Sequence, residues 1–246
     1  MTAINPKLRY QSAVRTHAGA VRQRNEDAVL ERPEIGLWAV ADGAGGHQCG
    51  DYASESIITA LGKVSPPPPS TVQLIDDVRT RLSQVNQELR EKAADIGPRA
   101  VICSTVVVLL IVEGRSCCLW AGDSRCYLLR AGALRQVSRD HSYVQHLVDR
   151  GEIRPEAAAD HPLAHVVTNL LGAADRLALE ERWNPLASGD ILLLCSDGLC
   201  RALADREIAA ILGGDPVERV ADRLMESALS RGAQDNVSVV VVACQA

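Results

Sequence analysis

Residues 38–47 read WAVADGAGGH, an apolar run that ends in Asp42 and continues into three glycines within four residues. The same design recurs at 190–199, DILLLCSDGL, where an apolar run leads to Asp197 and a glycine. A strand holds a carboxylate rigidly at its end, and a neighbouring glycine lets backbone carbonyls approach a ligand. Taken alone, each stretch is also compatible with an ordinary glycine-rich turn in which the aspartate is a cap.

Further acids occupy similar positions elsewhere in the chain. Asp235 precedes the apolar run 237–242, Asp123 lies between two strand-like runs, and Glu26 and Asp27 precede another apolar stretch. Carboxylates are rarely buried unless they are paired or bind metal, and several at one place repel one another without a cation. Oxygen ligands of this kind select Mg²⁺ or Mn²⁺ over zinc. Sequence spacing does not show that the acids converge, so the residues alone indicate a metal cluster without proving one.

The order of predicted elements favours an α+β fold of antiparallel sheets covered by helices over regular βαβ alternation. Several strand-like runs are continuously apolar, as expected for strands covered on both faces. Strand-like runs lie at 36–41, 105–112, 116–121, 125–130, 177–183, 190–195 and 237–244. Helical patterns lie at 51–63, 75–89, 143–150, 205–212 and 217–230, with Asp205 and Asp215-Pro216 as expected N-terminal caps of the last two.

The composition is that of a folded globular protein, with 47% hydrophobic and 23% charged residues among 246. The absence of Phe predicts a core of Val, Leu, Ile and Ala. A net charge of −5 argues against a nucleic-acid binder. The longest apolar runs, such as 106–112, are far shorter than the ~20 residues that span a bilayer, and the N-terminus has no apolar signal core.

The eight cysteines are interpreted as buried free thiols, because most lie in apolar strand-like runs and no C-x-x-C pair occurs. The segment 65–70, SPPPPS, is the one low-complexity patch and predicts a stiff loop between two helices. It is too short to separate domains. We therefore expect a single domain over residues 1–246.

Seven motifs follow one another along the chain: R-x-x-N-E-D from Arg22, V-A-D-G-x-G-G-H, G-D-S-R, H-S-x-V-x-x-L-V-x-x-G-x-I, H-P, S-D-G-L and D-N-V-S. In this order they resemble the bacterial branch of the metal-dependent protein phosphatases, the PPM or type 2C family. The resemblance covers nearly the whole chain, and seven ordered motifs are far more specific than one. The compact length is similar to that of stand-alone members associated with bacterial Ser/Thr kinases and secretion-system regulation.

The resemblance implies a four-layer αββα sandwich, two antiparallel sheets flanked by helices, with a metal site at one end. It implies two core Mn²⁺ or Mg²⁺ ions and a weaker third. The implied metal ligands are Asp42, the Gly43 carbonyl, Asp197, Asp235, Glu26 through water, and Asp123 for the third ion. Arg22 would grip the substrate phosphate, a task that suits a bidentate cation, and Asp27 would be a supporting acid.

The implied reaction is hydrolysis of phosphoserine and phosphothreonine in proteins by a metal-bridging hydroxide, with no phosphoenzyme. Asp42 and Arg22 are the implied catalytic residues. The segment 141–171 matches a mobile flap that influences substrate access, and the alternative for it is a helical hairpin packed on the sheet. Phosphorylated proteins and a cognate bacterial Ser/Thr kinase are the implied partners. We expect a cytoplasmic monomer that binds neither nucleic acid nor membrane.

One position departs from the eukaryotic pattern. Eukaryotic members have a histidine directly after the Asp-Gly pair, where it can protonate the leaving group, and this chain has Ala44 there. His47 matches the bacterial G-G-H motif, and packing at the turn is favoured for it over general-acid catalysis. The leaving-group proton would then come from metal-bound water.

Two other functions compete with an active phosphatase. The first is a pseudoenzyme of the same fold that binds phosphoproteins or other partners without turnover. The second is a metal-binding module in which the acids only stabilise the fold. The intact acid set favours the active enzyme over the pseudoenzyme, because a decayed site would have lost some of these residues.

Overall fold

The computed structural model describes residues 8–44, 49–65 and 70–246. His47 and the four prolines of the low-complexity segment lie outside these ranges, so the stiff loop predicted there is not among the described residues. The strands are β1 (Arg9–His17), β2 (Asp27–Arg32), β3 (Leu37–Ala44), β4 (Cys103–Ser104), β5 (Val106–Val112), β6 (Arg115–Ala121), β7 (Arg125–Arg130), β8 (Ala133–Gln136), β9 (Glu180–Pro185), β10 (Ile191–Cys195) and β11 (Val237–Gln245). The helices are α1 (Gly50–Gly62), α2 (Thr71–Ile96), α3 (Tyr143–Asp149), α4 (Asp197–Ala202), α5 (Asp205–Leu212) and α6 (Val217–Ser230).

The strands form two antiparallel sheets. One has the order β1-β11-β10-β7-β8, and the other has the order β2-β3-β5-β6-β9 with the short β4 paired to β3. Helices α1 and α2 cover the outer face of the second sheet, and α4, α5 and α6 cover the first. The predicted α+β class and its αββα layering are therefore confirmed.

Strand β3 shows how the sequence builds these layers. Leu37, Ala39 and Ala41 join the buried cluster beneath α1 and α2. Trp38 and Val40 join the cluster between the two sheets. Successive side chains of a strand point to opposite faces, so one continuously apolar run supplies both a helix-facing and a sheet-facing layer.

Most predicted elements are present, but β1 and β2 were not among the predicted strand-like runs, and one predicted run is shifted along the chain. Strand β1 was not predicted, because its sequence RYQSAVRTH mixes charged and apolar residues in the manner of an edge strand. The run predicted at 177–183 forms a strand only at Glu180–Pro185, where it pairs with β6. The predicted hairpin around Ala131 and Gly132 is the β7–β8 connection.

The predicted cap Asp205 is wrong by one residue, whereas the predicted pair Asp215-Pro216 contains the N-cap of α6. Asp205 is the first residue of α5, and the N-cap is Ala204, whose N–H donates to the Glu207 carboxylate. The N-cap of α6 is Pro216, while Asp215 pairs with arginines of the same helix. Both acids still lie at helix N-termini, where a negative charge is favourable. Among the described helices, none combines the length and apolarity needed to cross a membrane.

Truncation of Leu193 tests the layer between the first sheet and its helices. Leu193 is fully buried in β10, so Leu193→Ala should lower the free energy of unfolding by about 2–5 kcal/mol through lost burial and an unfilled cavity. Val72→Ala, at a 67% exposed position of α2, is the control and should change it by less than about 0.5 kcal/mol. Urea denaturation measures both, and equal effects would contradict this packing.

Candidate metal centre

Strand register brings the predicted acids to one end of both sheets. Asp27 opens β2 directly opposite Asp42 near the end of β3. Asp197 follows β10, and Asp235 precedes the antiparallel neighbour β11, so their strand ends coincide. Asp123 lies in the turn from β6 to β7, and β7 begins opposite the end of β10. Five carboxylates from two sheets therefore meet at one edge of the sandwich.

The acids perturb one another electrostatically. Burial raises the pKa of Asp42 well above its usual range, and the charges of Asp27, Asp197, Asp123 and Asp235 raise it further. Burial also raises the pKa of Asp27 and of Asp123 to about 7. Burial likewise raises the pKa of Asp197. These shifts are the expected response of carboxylates that share a partly desolvated site.

Two arginines compensate part of this negative charge. Arg22 Nε and Nη2 each lie 3.0 Å from an oxygen of Asp235. Arg201 Nη2 lies 2.5 Å from Asp197 Oδ2, and its Nη1 lies 3.4 Å from Asp235 Oδ2. The sequence interpretation included Arg22 and missed Arg201. Arg201 could have been found from its four-residue spacing from Asp197, which places both side chains on one helix face.

Glu26 and the Gly43 carbonyl approach each other around Gly50, the first residue of α1. A Cβ atom on Gly50 would lie 2.9 Å from Glu26 Oε2 and 3.0 Å from the Gly43 oxygen. A Cβ atom on Gly43 would lie 2.1 Å from the Gly50 oxygen. The backbone contact at Gly43 leaves no room for a side chain there, whereas the nearest atoms to Gly50 belong to the Glu26 side chain. Two predicted ligands of the second ion, Glu26 and the Gly43 carbonyl, therefore both border Gly50.

The side chains of Asn236 and Ser196 support the acidic residues through hydrogen bonds. The sequence did not predict this role for either residue. The Asn236 side chain accepts a hydrogen bond from the Glu26 N–H and donates to the carbonyls of Ala18 and Arg24. It thereby ties the loop that carries Arg22 to Asp235. Ser196 Oγ donates to Asp27 Oδ2 at 2.7 Å, which gives this serine a supporting contact and not that of a nucleophile.

Thr105 joins the turn of Asp123 to the backbone of Asp42. Its N–H donates to the Asp42 carbonyl at 2.9 Å, and its Oγ1 lies 2.7 Å from Ser124 Oγ. Gly122 has a φ of +111°, and a Cβ atom there would lie 2.5 Å from Thr105 Cβ. Arg125 forms a bidentate ion pair with Asp140.

The segment 141–171 begins beside the same turn. His141 N–H donates to the Gly122 carbonyl, and His141 Nδ1 accepts from the Gly122 N–H. Beyond α3 the segment consists of turns and one short 3-10 turn at Pro155–Ala157, and it returns through bridges at Val167 and Leu171. The helical hairpin considered as an alternative is therefore not formed.

The donor set fits a divalent cation. Asp27 Oδ1 and Asp197 Oδ1 are buried without a hydrogen-bond partner, and oxygen-only ligands suit Mg²⁺ or Mn²⁺. Across the described segments, however, no group of three or more His, Cys, Asp or Glu side chains lies in an arrangement that could hold a metal ion. The individual ligand roles therefore stay predictions.

The chain matches known proteins over nearly its full length. The protein phosphatase 2C family model matches residues 16–239. The serine/threonine phosphatase PstP of Mycobacterium tuberculosis is 36% identical over 98% of this chain and 46% of its own length. The serine/threonine phosphatase stp of Listeria monocytogenes is 33% identical over 93% of each protein. The chain thus spans about half of PstP but nearly all of stp.

Solved structures agree with these relatives. PppA, described as a regulatory component of the T6SS in Pseudomonas aeruginosa, has a TM-score of 0.89 at 42% identity and covers 96% of this chain and 97% of its own. The catalytic domain of PstP in complex with two manganese ions has a TM-score of 0.84 at 34% identity, with 98% of this chain and 100% of that chain covered. The chain therefore belongs to the protein phosphatase 2C family of metal-dependent serine/threonine phosphatases, as its seven motifs predicted.

Proposed function

We propose that this chain hydrolyses phosphoserine and phosphothreonine in proteins, with Mn²⁺ or Mg²⁺ held by its acidic cluster. The observation that carries the proposal is the convergence of five aspartates from both sheets, with Arg22 and Arg201 placed against two of them. Such a cluster is costly without a cation. A phosphate dianion and its cations are a ligand set that both the acids and the arginines can recognise.

Each predicted ligand is assigned to one or both core ions, or to the third ion, by its place in the acidic cluster. Asp42 interacts electrostatically with acids from both sheets and is assigned to both core ions. Asp197 and Asp235 are assigned to the first ion, Gly43 and Glu26 to the second, and Asp123 to a weaker third. Support comes from the shared electrostatic field of the aspartates and from the approach of Glu26 to the Gly43 carbonyl.

Bound Mn²⁺ or Mg²⁺ would supply Lewis acidity and an activated water for attack on phosphorus. The chain's own residues do the positioning. Arg22 lies at the exposed rim of the cluster, with 55% of its side chain accessible, and can turn from Asp235 to a phosphate oxygen. Asn236 and Thr105 fix the backbone beneath the acids, so that their carboxylates need little reorganisation when substrate binds.

The segment 141–171 is proposed as a flap that contributes to substrate choice. It is tied to the Asp123 turn through His141, and it exposes the apolar side chains of Tyr143, Leu163 and Val166. Exposed apolar groups beside a phosphate site can bind the residues that flank a phosphoserine.

The biological setting is proposed from the relatives. The phosphatase would oppose a bacterial Ser/Thr kinase in cytoplasmic signal transduction, as a monomer whose single domain spans residues 1–246. The similarity to PppA, a regulatory component of the T6SS in its own organism, makes secretion control a candidate setting. Phosphoproteomics of a deletion strain would identify the substrates.

Loss of Asp42 separates catalysis from the two competing functions. Asp42→Ala should lower turnover of p-nitrophenyl phosphate with Mn²⁺ at least about a hundredfold, because it removes a central charge-stabilising group. Asp222→Ala, a surface acid of α6 paired with Arg15, is the matched control. Wild-type protein that binds Mn²⁺ without turnover would instead support the pseudoenzyme or the metal-binding module.

Arg22→Ala tests substrate binding. Loss of a charge-assisted contact to phosphate should raise KM for a phosphopeptide roughly tenfold or more. Mn²⁺ affinity should not fall, because Arg22 is not a metal ligand. Arg219→Ala, on the exposed surface of α6, is the control. An unchanged KM would remove Arg22 from the phosphate site.

Arg201→Ala tests whether this arginine competes with the cation. Its guanidinium pairs with Asp197 and Asp235, so its removal should raise Mn²⁺ affinity about two- to fivefold, the scale of a partly exposed ion pair. Isothermal titration calorimetry measures the affinity directly. A fall in affinity would mean that Arg201 holds the acids in position and does not compete for them.

Gly198→Ala tests the backbone contact that joins the segments carrying Asp197 and Asp235, the two acids assigned to the first ion. A Cβ atom there would lie 2.0 Å from the Asn236 carbonyl oxygen, so α4 and the start of β11 must separate. We expect a loss of about 1–3 kcal/mol in stability together with weaker Mn²⁺ binding. Gly213→Ala, whose nearest contact is 3.6 Å away, is the control, and equal behaviour of the two variants would contradict the prediction.

A further inference from the structure

Two cysteines flank Asp197 in sequence and meet in space. Cys195 is the last residue of β10, and Cys200 lies in α4. Their sulfur atoms are 3.6 Å apart. The chain between them carries Ser196, which hydrogen-bonds to Asp27, and Asp197 itself. A thiol pair therefore brackets one of the predicted ligands of the first ion.

The surroundings of Cys200 differ from those of a core cysteine. Cys200 is partly exposed, whereas Cys195 is fully buried beneath it. Cys200 Sγ lies 3.5 Å from Tyr127 Oη, and Arg125 Nη1 donates to the same oxygen at 2.9 Å. Cys200 is therefore partly accessible and lies near a guanidinium that is itself paired with Asp140. Partial access beside a cationic group is one feature of reactive cysteines.

We propose that Cys195 and Cys200 form a redox modification site, at which hydrogen peroxide converts the two thiols into an intramolecular disulfide. Cys200 Sγ attacks a peroxide oxygen, the O–O bond breaks, and one water leaves with formation of a sulfenic acid. Cys195 Sγ then attacks that sulfur, the S–O bond breaks, and a second water leaves. Two thiols lose two electrons and two protons in total, and hydrogen peroxide is reduced to two waters.

The disulfide would act on the acidic cluster through the backbone. Bond formation shortens the sulfur separation from 3.6 Å to about 2.05 Å, and this draws the first turn of α4 towards the end of β10. Asp197 lies between the two cysteines, and Gly198 is already packed against the Asn236 carbonyl. The turn cannot move without moving the Asp197 carboxylate. This consequence for the metal rests on the proposed function, whereas the disulfide itself does not.

The chain contains its own control pair. Cys118 and Cys126 form a second pair of neighbouring thiols that interact electrostatically, but both are fully buried between the sheets. Access, and not sulfur proximity alone, should therefore decide which pair is oxidised. All eight cysteines lie within the described ranges and none forms a disulfide.

Peptide mass spectrometry tests the modification without reference to activity. The full chain is treated with graded hydrogen peroxide, alkylated with iodoacetamide and digested with trypsin, which cleaves after Arg182 and Arg201. The resulting peptide 183–201 contains only Cys195 and Cys200. We expect it to become unalkylated and two hydrogen atoms lighter, and to revert with dithiothreitol. Retention of two alkylated cysteines, or equal oxidation of Cys118 and Cys126, would overturn the proposal.

Mn²⁺ calorimetry and phosphatase assays test the consequence, with each variant compared to its own reduced sample. Oxidised wild type and the control Cys118→Ser should lose about tenfold in Mn²⁺ affinity, the scale of a disturbed supporting shell. Cys200→Ser and Cys195→Ser should keep their affinity after peroxide. Unchanged Mn²⁺ affinity in the oxidised wild type would overturn the link to the metal site. Absence of phosphatase turnover would contradict the proposed function and leave the mass and calorimetric results to stand alone.

Discussion

Mutual repulsion among buried carboxylates is the constraint on which the arrangement of this protein depends. Burial and neighbouring carboxylates raise the pKa of Asp42, Asp27, Asp123 and Asp197, which lie at or beside strand ends at one edge of two sheets, and Asp235 adds its charge to the same group. Side chains on loops could relax apart, but these are anchored to hydrogen-bonded strands. The charge must therefore be compensated, by arginines or by cations, wherever the fold is intact.

The sandwich holds the cluster through contacts that leave no room for larger side chains. Gly43 meets Gly50, Gly122 meets Thr105, and Gly198 meets the Asn236 carbonyl. Each contact joins two segments that carry an acid or its support. The acids are thereby positioned by backbone packing between distant parts of the chain, which is the kind of rigid support that a metal site requires. The same rigidity makes the short turn between Cys195 and Cys200 sensitive to any new bond across it.

Several elements of the fold and site could be predicted because their signals are local. The continuously apolar runs of β5, β10 and β11 and the apolar stripe of α2 are strong local signals. The structure places the three strands close to the expected bounds and extends α2 to Thr71–Ile96. Strand β1 was missed because its alternation with charged residues resembles a loop. Arg201, Asn236 and Ser196 were missed as partners of the acids, because a hydrogen bond to a residue far along the chain leaves no trace in local spacing.

The sequence by itself determined the family, the strand-end aspartates and the α+β class, since ordered motifs and hydrophobic periodicity are properties of the chain alone. Only the tertiary structure decided which acids interact electrostatically and that Asp27 lies opposite Asp42. It also decided that Arg22 and Arg201 form ion pairs with Asp235 and Asp197. The reason is physical: charge repulsion and side-chain contact depend on distance in space, and strand register, not sequence separation, sets those distances.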